Sequence, residues 1–254
     1  MALKDSPVWP VWQEFKKLAH SLLYESKSAC LLCETLVVDD RVFCRECESI
    51  YFYPELERCR GCGKIGASQG ICKDCADGKG PAELSKVVAW GHYTGAWREF
   101  IQGVKFKAQP YLLKRISRPL GDFAIKHLPP PNFLVPVPMY PERLAQRGFN
   151  QAELIASLLH WELGIPLWDK LERIHFTTPQ VGLGRKERLK NLESAFRINA
   201  SLQSVKLIKG SKVWLVDDVL TTGATLEHCA KELKKVGVAE VYGLVLAAGM
   251  EKGN

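Results

Sequence analysis

LVDDVLTTGATL occupies residues 215–226 of this 254-residue chain, and the rest of the sequence is read outward from it. Residues 212–216, KVWLV, have the length and apolar content of a buried strand, and 224–236 carry the spacing of a helix. Two acids, Asp217 and Asp218, follow the strand, and a turn of threonine and glycine leads into the helix. In a parallel sheet, ligands gather beyond the carboxyl ends of the strands, which is where this acid pair is expected.

The turn has the chemistry of a phosphate cradle. Backbone amides of Thr221, Thr222, Gly223, Ala224 and Thr225 at the head of a helix converge on one place, and the helix dipole favours an anion there. The threonine hydroxyls add donors, and Gly223 lets the backbone approach closely. The neighbouring carboxylates suit a vicinal diol or a Mg²⁺ ion. Phosphate beside diol describes a ribose 5-phosphate. The lysine of a GxxxxGK[ST] loop is missing, which argues against an ordinary P-loop.

Upstream, strand and helix patterns alternate. VVAWGHY (87–93) reads as a strand, 96–106 as a helix, and FLVPVP (133–138) as a buried strand. Asn150 opens a helix, with Glu153 placed as in a capping box and Leu154, Leu158 and Trp161 as its expected apolar face. VYGLVLA (241–247) is a further strand. This alternation predicts an α/β fold, a parallel sheet flanked by helices. Cys229 shares a helix face with Leu226 and Leu233 and reads as a buried core thiol.

Residues 30–75 have a different texture, with CxxC pairs at Cys30/Cys33, Cys44/Cys47, Cys59/Cys62 and Cys72/Cys75. Each turn of this kind aims two sulfurs at one point, and two turns complete a tetrahedron around zinc. Four pairs therefore predict two structural zinc sites with no open coordination position. Neighbouring pairs are favoured to share a metal, with interleaved pairing as the alternative. A disulfide framework would need an oxidising compartment. The texture shift near DGKGP (77–81) divides the chain into a metal-binding region, 1–79, and a sheet domain, 80–254.

The formal charge is +7, but thiolates around zinc would lower it, so clusters say more than the total. No apolar run reaches the roughly 18 residues of a membrane span. The start of the chain lacks the layout of a secretory signal, and Trp12, Phe15, Leu18 and Leu22 recur as on an amphipathic helix. A cytoplasmic location is expected. Residues 98–118 hold Arg98, Lys105, Lys107, Lys114, Arg115 and Arg118 with Trp97, Phe100, Phe106 and Tyr111 among them. Such a mixture suits single-stranded nucleic acid, although aromatics at helical spacing also build cores. Lys105, Lys107, Lys114, Arg115 and Arg118 are the candidate DNA contacts.

The acid-pair stretch resembles the signature of type I phosphoribosyltransferases, whose ligand is phosphoribosyl pyrophosphate (PRPP). Together with the CxxC array, LVPVPMYPERLAQRGFNQAELIA (134–156) and TTPQVGLGRKERLKNLESAF (177–196), it makes the chain similar to the ComF family of competence-related proteins. The resemblance implies a type I phosphoribosyltransferase-like domain behind a four-cysteine zinc-ribbon region. It implies a pyrophosphate loop at Met139, Tyr140, Arg143 and Arg147, where the arginines can fork onto a diphosphate. Their alternative partners are Glu142 and Glu153 on a solvated face. A mobile flap would carry Arg185, Lys186 and Arg188; the same stretch also reads as a solvated helix. The implied ligands are PRPP or a relative with Mg²⁺, and the implied partners are single-stranded DNA and the DNA-uptake machinery. Active transfer to a nucleobase or amine is the alternative function. A glutamine-using reaction is disfavoured, because the N-terminal cysteines are committed in pairs and none adjoins the initiator.

Overall fold

The apolar runs form strands β1 (Lys86–His92), β2 (Phe133–Pro136), β3 (Leu171–Arg173), β4 (Phe196–Ile198), β5 (Lys212–Leu220) and β6 (Glu240–Ala248). They are joined by helices α1 (Gly95–Phe106), α2 (Leu113–His127), α3 (Pro141–Arg147), α4 (Gln151–Leu163), α5 (Leu202–Ile208) and α6 (Ala224–Lys235). This computed structural model describes residues 29–37, 41–52, 57–67, 70–78, 80–106, 110–174 and 195–249. The expected N-terminal helix, Lys107, and Arg185, Lys186 and Arg188 lie outside those residues.

The principal sheet has the order β1-β6-β5-β2, and every neighbouring pair is parallel. Its central strands are buried on both faces, as a parallel sheet requires: Val213 to Val216 of β5 and Leu244 to Ala248 of β6 are all buried. β3 and β4 pair antiparallel as a separate two-stranded sheet. Among the described residues, no helix is long and apolar enough to cross a membrane.

α4 begins at Asn150, whose carboxamide oxygen accepts from the Ala152 amide at 3.1 Å while its nitrogen donates to the Val137 carbonyl at 3.0 Å. The buried stripe of this helix is Ala152, Ile155, Ala156 and Leu159, not the expected Leu154, Leu158 and Trp161. Trp161 is 83% exposed. The helix is rotated by about one position from the expected face, so that Ile155 and Leu159 go in with the two alanines, Leu154 and Leu158 are half-buried and Trp161 faces out. Small residues also set the approach of α2 to α4. A Cβ on Gly121 would stand 3.2 Å from Leu163 Cδ2, and the Ser117 hydroxyl donates to Glu162 at 2.7 Å.

Two compact units divide the chain, Met1–Cys47 and Glu48–Asn254. In the first, Ala29 and Leu36 form an antiparallel bridge, the Cys30 amide donates to the Thr35 carbonyl, and Cys30, Phe43 and Cys47 are buried. The second unit holds the sheet and also the later cysteines. β1 is an edge strand, and the Cys59–Cys62 turn lies along it. A Cβ on Gly63 would come within 2.9 Å of the Val87 carbonyl oxygen and 3.1 Å of the Ala89 nitrogen. Arg58, one residue before that turn, donates to the carbonyls of Phe52 at 2.8 Å and Trp90 at 3.1 Å, and also to that of Ala89. The outer edge of β1 is thereby covered, which removes an open template for strand pairing. Above it Phe52, Trp90, Trp97 and Phe100 stack in a chain of ring contacts between 4.6 and 5.5 Å.

Candidate functional site

The eight paired cysteines collect into two sets, Cys30/Cys33/Cys44/Cys47 and Cys59/Cys62/Cys72/Cys75, with the sulfurs of each set within 4.8 Å of one another. Neighbouring pairs therefore share a site, and the interleaved alternative is excluded. Four sulfurs at one point could hold one zinc ion per set. Backbone amides aim at them: Cys47 N donates to Cys44 Sγ at 3.4 Å, and Cys72 N to Cys59 Sγ at 3.3 Å. Hydrogen bonds from Thr35, its side chain first, hold the Cys33 thiol at about 6. Burial opposes ionisation of Cys59, yet the amides of Cys72, Cys62 and Gly61 bring its thiol to about 7. Burial pushes Cys47, Cys62 and Cys75 upward. Each set thus mixes readily ionised thiols with ones that need the metal's charge to lose a proton.

Asp217 and Asp218 stand within β5 and not beyond it. Pairing with β6 continues through Asp217↔Val245 and Val219↔Ala247 to Leu220↔Ala248. β6 is long enough to offer partners to the end, so the acids are held extended. The Asp217 carboxylate also accepts from the Asp218 amide at 2.8 Å. Desolvation first, then the Asp218 charge, pushes the Asp217 carboxyl up to about 7, against the pull of Lys105 and Arg173.

Thr221, Thr222 and Gly223 make the short turn into α6, where Ala224 and Thr225 form the first residues. Gly223 caps the helix with φ of 78°, in the left-handed region. A Cβ there would meet nothing closer than 3.7 Å, so backbone conformation and not crowding calls for glycine. The Thr222 hydroxyl accepts from the Ala224 amide at 3.4 Å.

Basic side chains from three elements surround the acid pair. Lys105, near the end of α1, places its ammonium 2.7 Å from Asp218 Oδ2, with the side chains 17% and 15% exposed. Arg147, at the end of α3, donates to Gln151 Oε1 at 2.8 Å. Burial first lowers the Arg147 pKa; the Asp218 charge raises it, and Arg143 lowers it further. Arg173, in β3, is depressed by burial and then by Arg143, while Asp217 pulls it up. Arg173 has no place in any sequence motif; one arginine in a three-residue strand, LER, carries no signal.

Met139 and Tyr140 lie on the path between β2 and α3, fixed by Pro138 and Pro141. They line a cavity of about 480 Å³ together with Glu142, Asn150, Glu172 and Arg173. Neither acid of β5 and none of the threonines lines it. Arg173 is the residue common to the cavity and the acid pair's surroundings.

Of the basic residues considered for DNA, Lys105 is committed to Asp218. Lys114 and Arg118 are exposed one turn apart on α2, with Arg115 half-buried between them. Trp97 and Phe100 belong to the core, whereas Tyr111 is 63% exposed. Cys229 is fully buried, as expected.

Sheet topology and the glycine-capped turn after the acid pair define a phosphoribosyltransferase-like domain, and residues 145–254 match the phosphoribosyl transferase domain family. Competence protein F of Haemophilus influenzae is 35% identical over 209 residues, 74% of this chain and 90% of that protein. Competence protein ComFC of Streptococcus pneumoniae is 29% identical over 207 residues, 80% of this chain and 86% of that protein. Among solved structures, the glutamine PRPP amidotransferase of B. subtilis, complexed with ADP and GMP, is 14% identical with a TM-score of 0.35; the likeness covers 53% of this chain and 26% of that one. The chain belongs to the ComF family.

Proposed function

We propose that this protein is a competence-type accessory protein that binds PRPP, or a related ribose 5-phosphate, with Mg²⁺ and handles single-stranded DNA in the cytoplasm. The observation that carries the ligand is the acid pair of β5 just before the N-terminus of α6, with Lys105 2.7 Å from Asp218 and the charges of Arg147 and Arg173 acting on the pair. The 5-phosphate would take the amides and hydroxyls of Thr221 to Thr225, and the ribose diol the carboxylates of Asp217 and Asp218. The diphosphate would meet Arg143, Arg147 and the amides of Met139 and Tyr140, with Arg185, Lys186 and Arg188 assigned to a covering flap by family resemblance.

Adjacent hard carboxylate oxygens fit Mg²⁺, and Asp217 and Asp218 would hold it. When bound, the ion supplies charge neutralisation for the diphosphate. Exposed Lys114 and Arg118 and the exposed ring of Tyr111 support a backbone-tracking contact to single-stranded DNA. The two cysteine sets are structural zinc sites on this reading, and the uptake machinery is the expected protein partner.

Calorimetry with PRPP and Mg²⁺ tests the ligand. Binding that disappears in the Asp217→Asn, Asp218→Asn double variant, with zinc content unchanged, is the expected result; affinity that survives the double change would show that the site lies elsewhere. An oligonucleotide titration at two salt concentrations should give a negative log–log slope, and no binding at low salt would remove the DNA role. The cavity beside Arg173 favours one second reading, an active transferase that seats a nucleobase or amine acceptor there. Pyrophosphate release with any such acceptor would establish that reading in place of the accessory role.

A further inference from the structure

The Lys105–Asp218 pair joins two elements on different parts of the sheet. Lys105 comes from the last turn of α1, which follows edge strand β1, and Asp218 from β5 near the other edge. Their charged atoms are 2.7 Å apart and both side chains are mostly covered. The Asp218 charge also acts on Arg147, and the Asp217 charge on Arg173. A bare divalent ion approaching Asp218 meets the positive charges of Lys105 and Arg147 and finds one of its ligand oxygens already occupied. A metal ion already chelated by a sugar diphosphate arrives as a net anion, and the same charges attract it.

We propose that Lys105 is a resident counter-ion that bars free divalent metal from the acid pair and yields only to metal delivered on a sugar diphosphate. This inference rests on the functional reading above. The exchange leaves no charge stranded. As Asp218 turns to the metal or the diol, the ammonium swings on its four-carbon stem to a phosphate oxygen of the incoming ligand. A covered ammonium without an anion would be costly, so the lysine leaves Asp218 only when the ligand supplies one. Lys105 is a positioning and specificity residue on this account.

Mn²⁺ serves as the probe, because its paramagnetic resonance signal separates free from bound ion in the absence of any sugar. The full zinc-loaded protein is compared with Lys105→Met. The variant should bind Mn²⁺ at least about tenfold more tightly than the parent, and adding Asp218→Asn should abolish the gain. In calorimetry the same variant should lose about tenfold in affinity for PRPP with Mg²⁺, while Lys105→Arg keeps both parental properties. Lys105→Gln reports the same quantities should the methionine variant fail to fold. Mn²⁺ binding no tighter in the neutral variants than in the parent overturns the proposal. Failure of the parent to bind PRPP would instead overturn the functional reading, and the Mn²⁺ comparison distinguishes the two.

Discussion

Arg58 offers the sharpest test of how the metal-binding turn is tied to the sheet. Its guanidinium donates to three carbonyls, those of Phe52, Ala89 and Trp90, and lies 6.0 Å from the Phe123 ring centroid. Substitution by alanine leaves those oxygens without their donor and opens the edge of β1. A hydrogen bond to a charged group contributes about 1.5–3 kcal/mol, and a group left unsatisfied costs about 1–3 kcal/mol. Arg58 is only half-buried, so water can reach part of what is lost. The expected net destabilisation is about 3–5 kcal/mol, below the simple sum. For a unit of this size that is a fall of about 6–20 °C in melting temperature. Arg58→Lys should lose roughly half as much, since a point charge cannot fork to three acceptors. Thermal and urea unfolding, with zinc measured by absorption spectroscopy, would report it. A loss below about 1 kcal/mol for Arg58→Ala would refute the reasoning.

Cys72→Ser should reduce zinc to one ion per chain and lower the melting temperature of the sheet unit, because its site is built on the strand edge; an unchanged melt would separate metal from sheet. Asp217→Asn should stabilise the ligand-free protein while abolishing ligand binding. Its carboxyl is raised from 3.8 to about 7, so between those values the folded state binds more protons than the unfolded chain, and stability falls as pH rises through that window. The gain over the parent should be about 1–3 kcal/mol at pH 8 and vanish near pH 4; a gain independent of pH would show a packing effect. Gly223→Ala imposes a side chain on a φ of 78° and should cost about 1–2 kcal/mol, with weakened phosphate binding and no loss of zinc; a neutral change would mean the turn relaxes easily.

The parts of this fold that announced themselves were those with short-range chemistry. CxxC turns, the apolar strand before Asp217 and the glycine before Ala224 are each local patterns, and each formed where its spacing said it would. Even the pairing of the cysteine turns followed chain proximity. What stayed hidden depends on contacts between distant residues. Lys105 looked like one member of a basic run, and only the packing of α1 brings it to Asp218. Arg173 sits in a strand too short to have a pattern. The extension of β5 through both acids is set by its neighbour β6, which a window on residues 212–220 cannot include. On α4 two apolar stripes, 154/158/161 and 152/155/156/159, compete in the sequence, and only packing on the sheet selects the second.

The cover over the outer flank of β1 also bears on how the chain matures. Until the Cys59–Cys75 loop closes, the outer edge of the apolar run VVAW lies open, free to add to the same edge of another molecule. On the zinc reading of these cysteines, metal supply during synthesis bears on whether that edge is covered. Cells starved of zinc should then yield more of this protein as inclusion bodies.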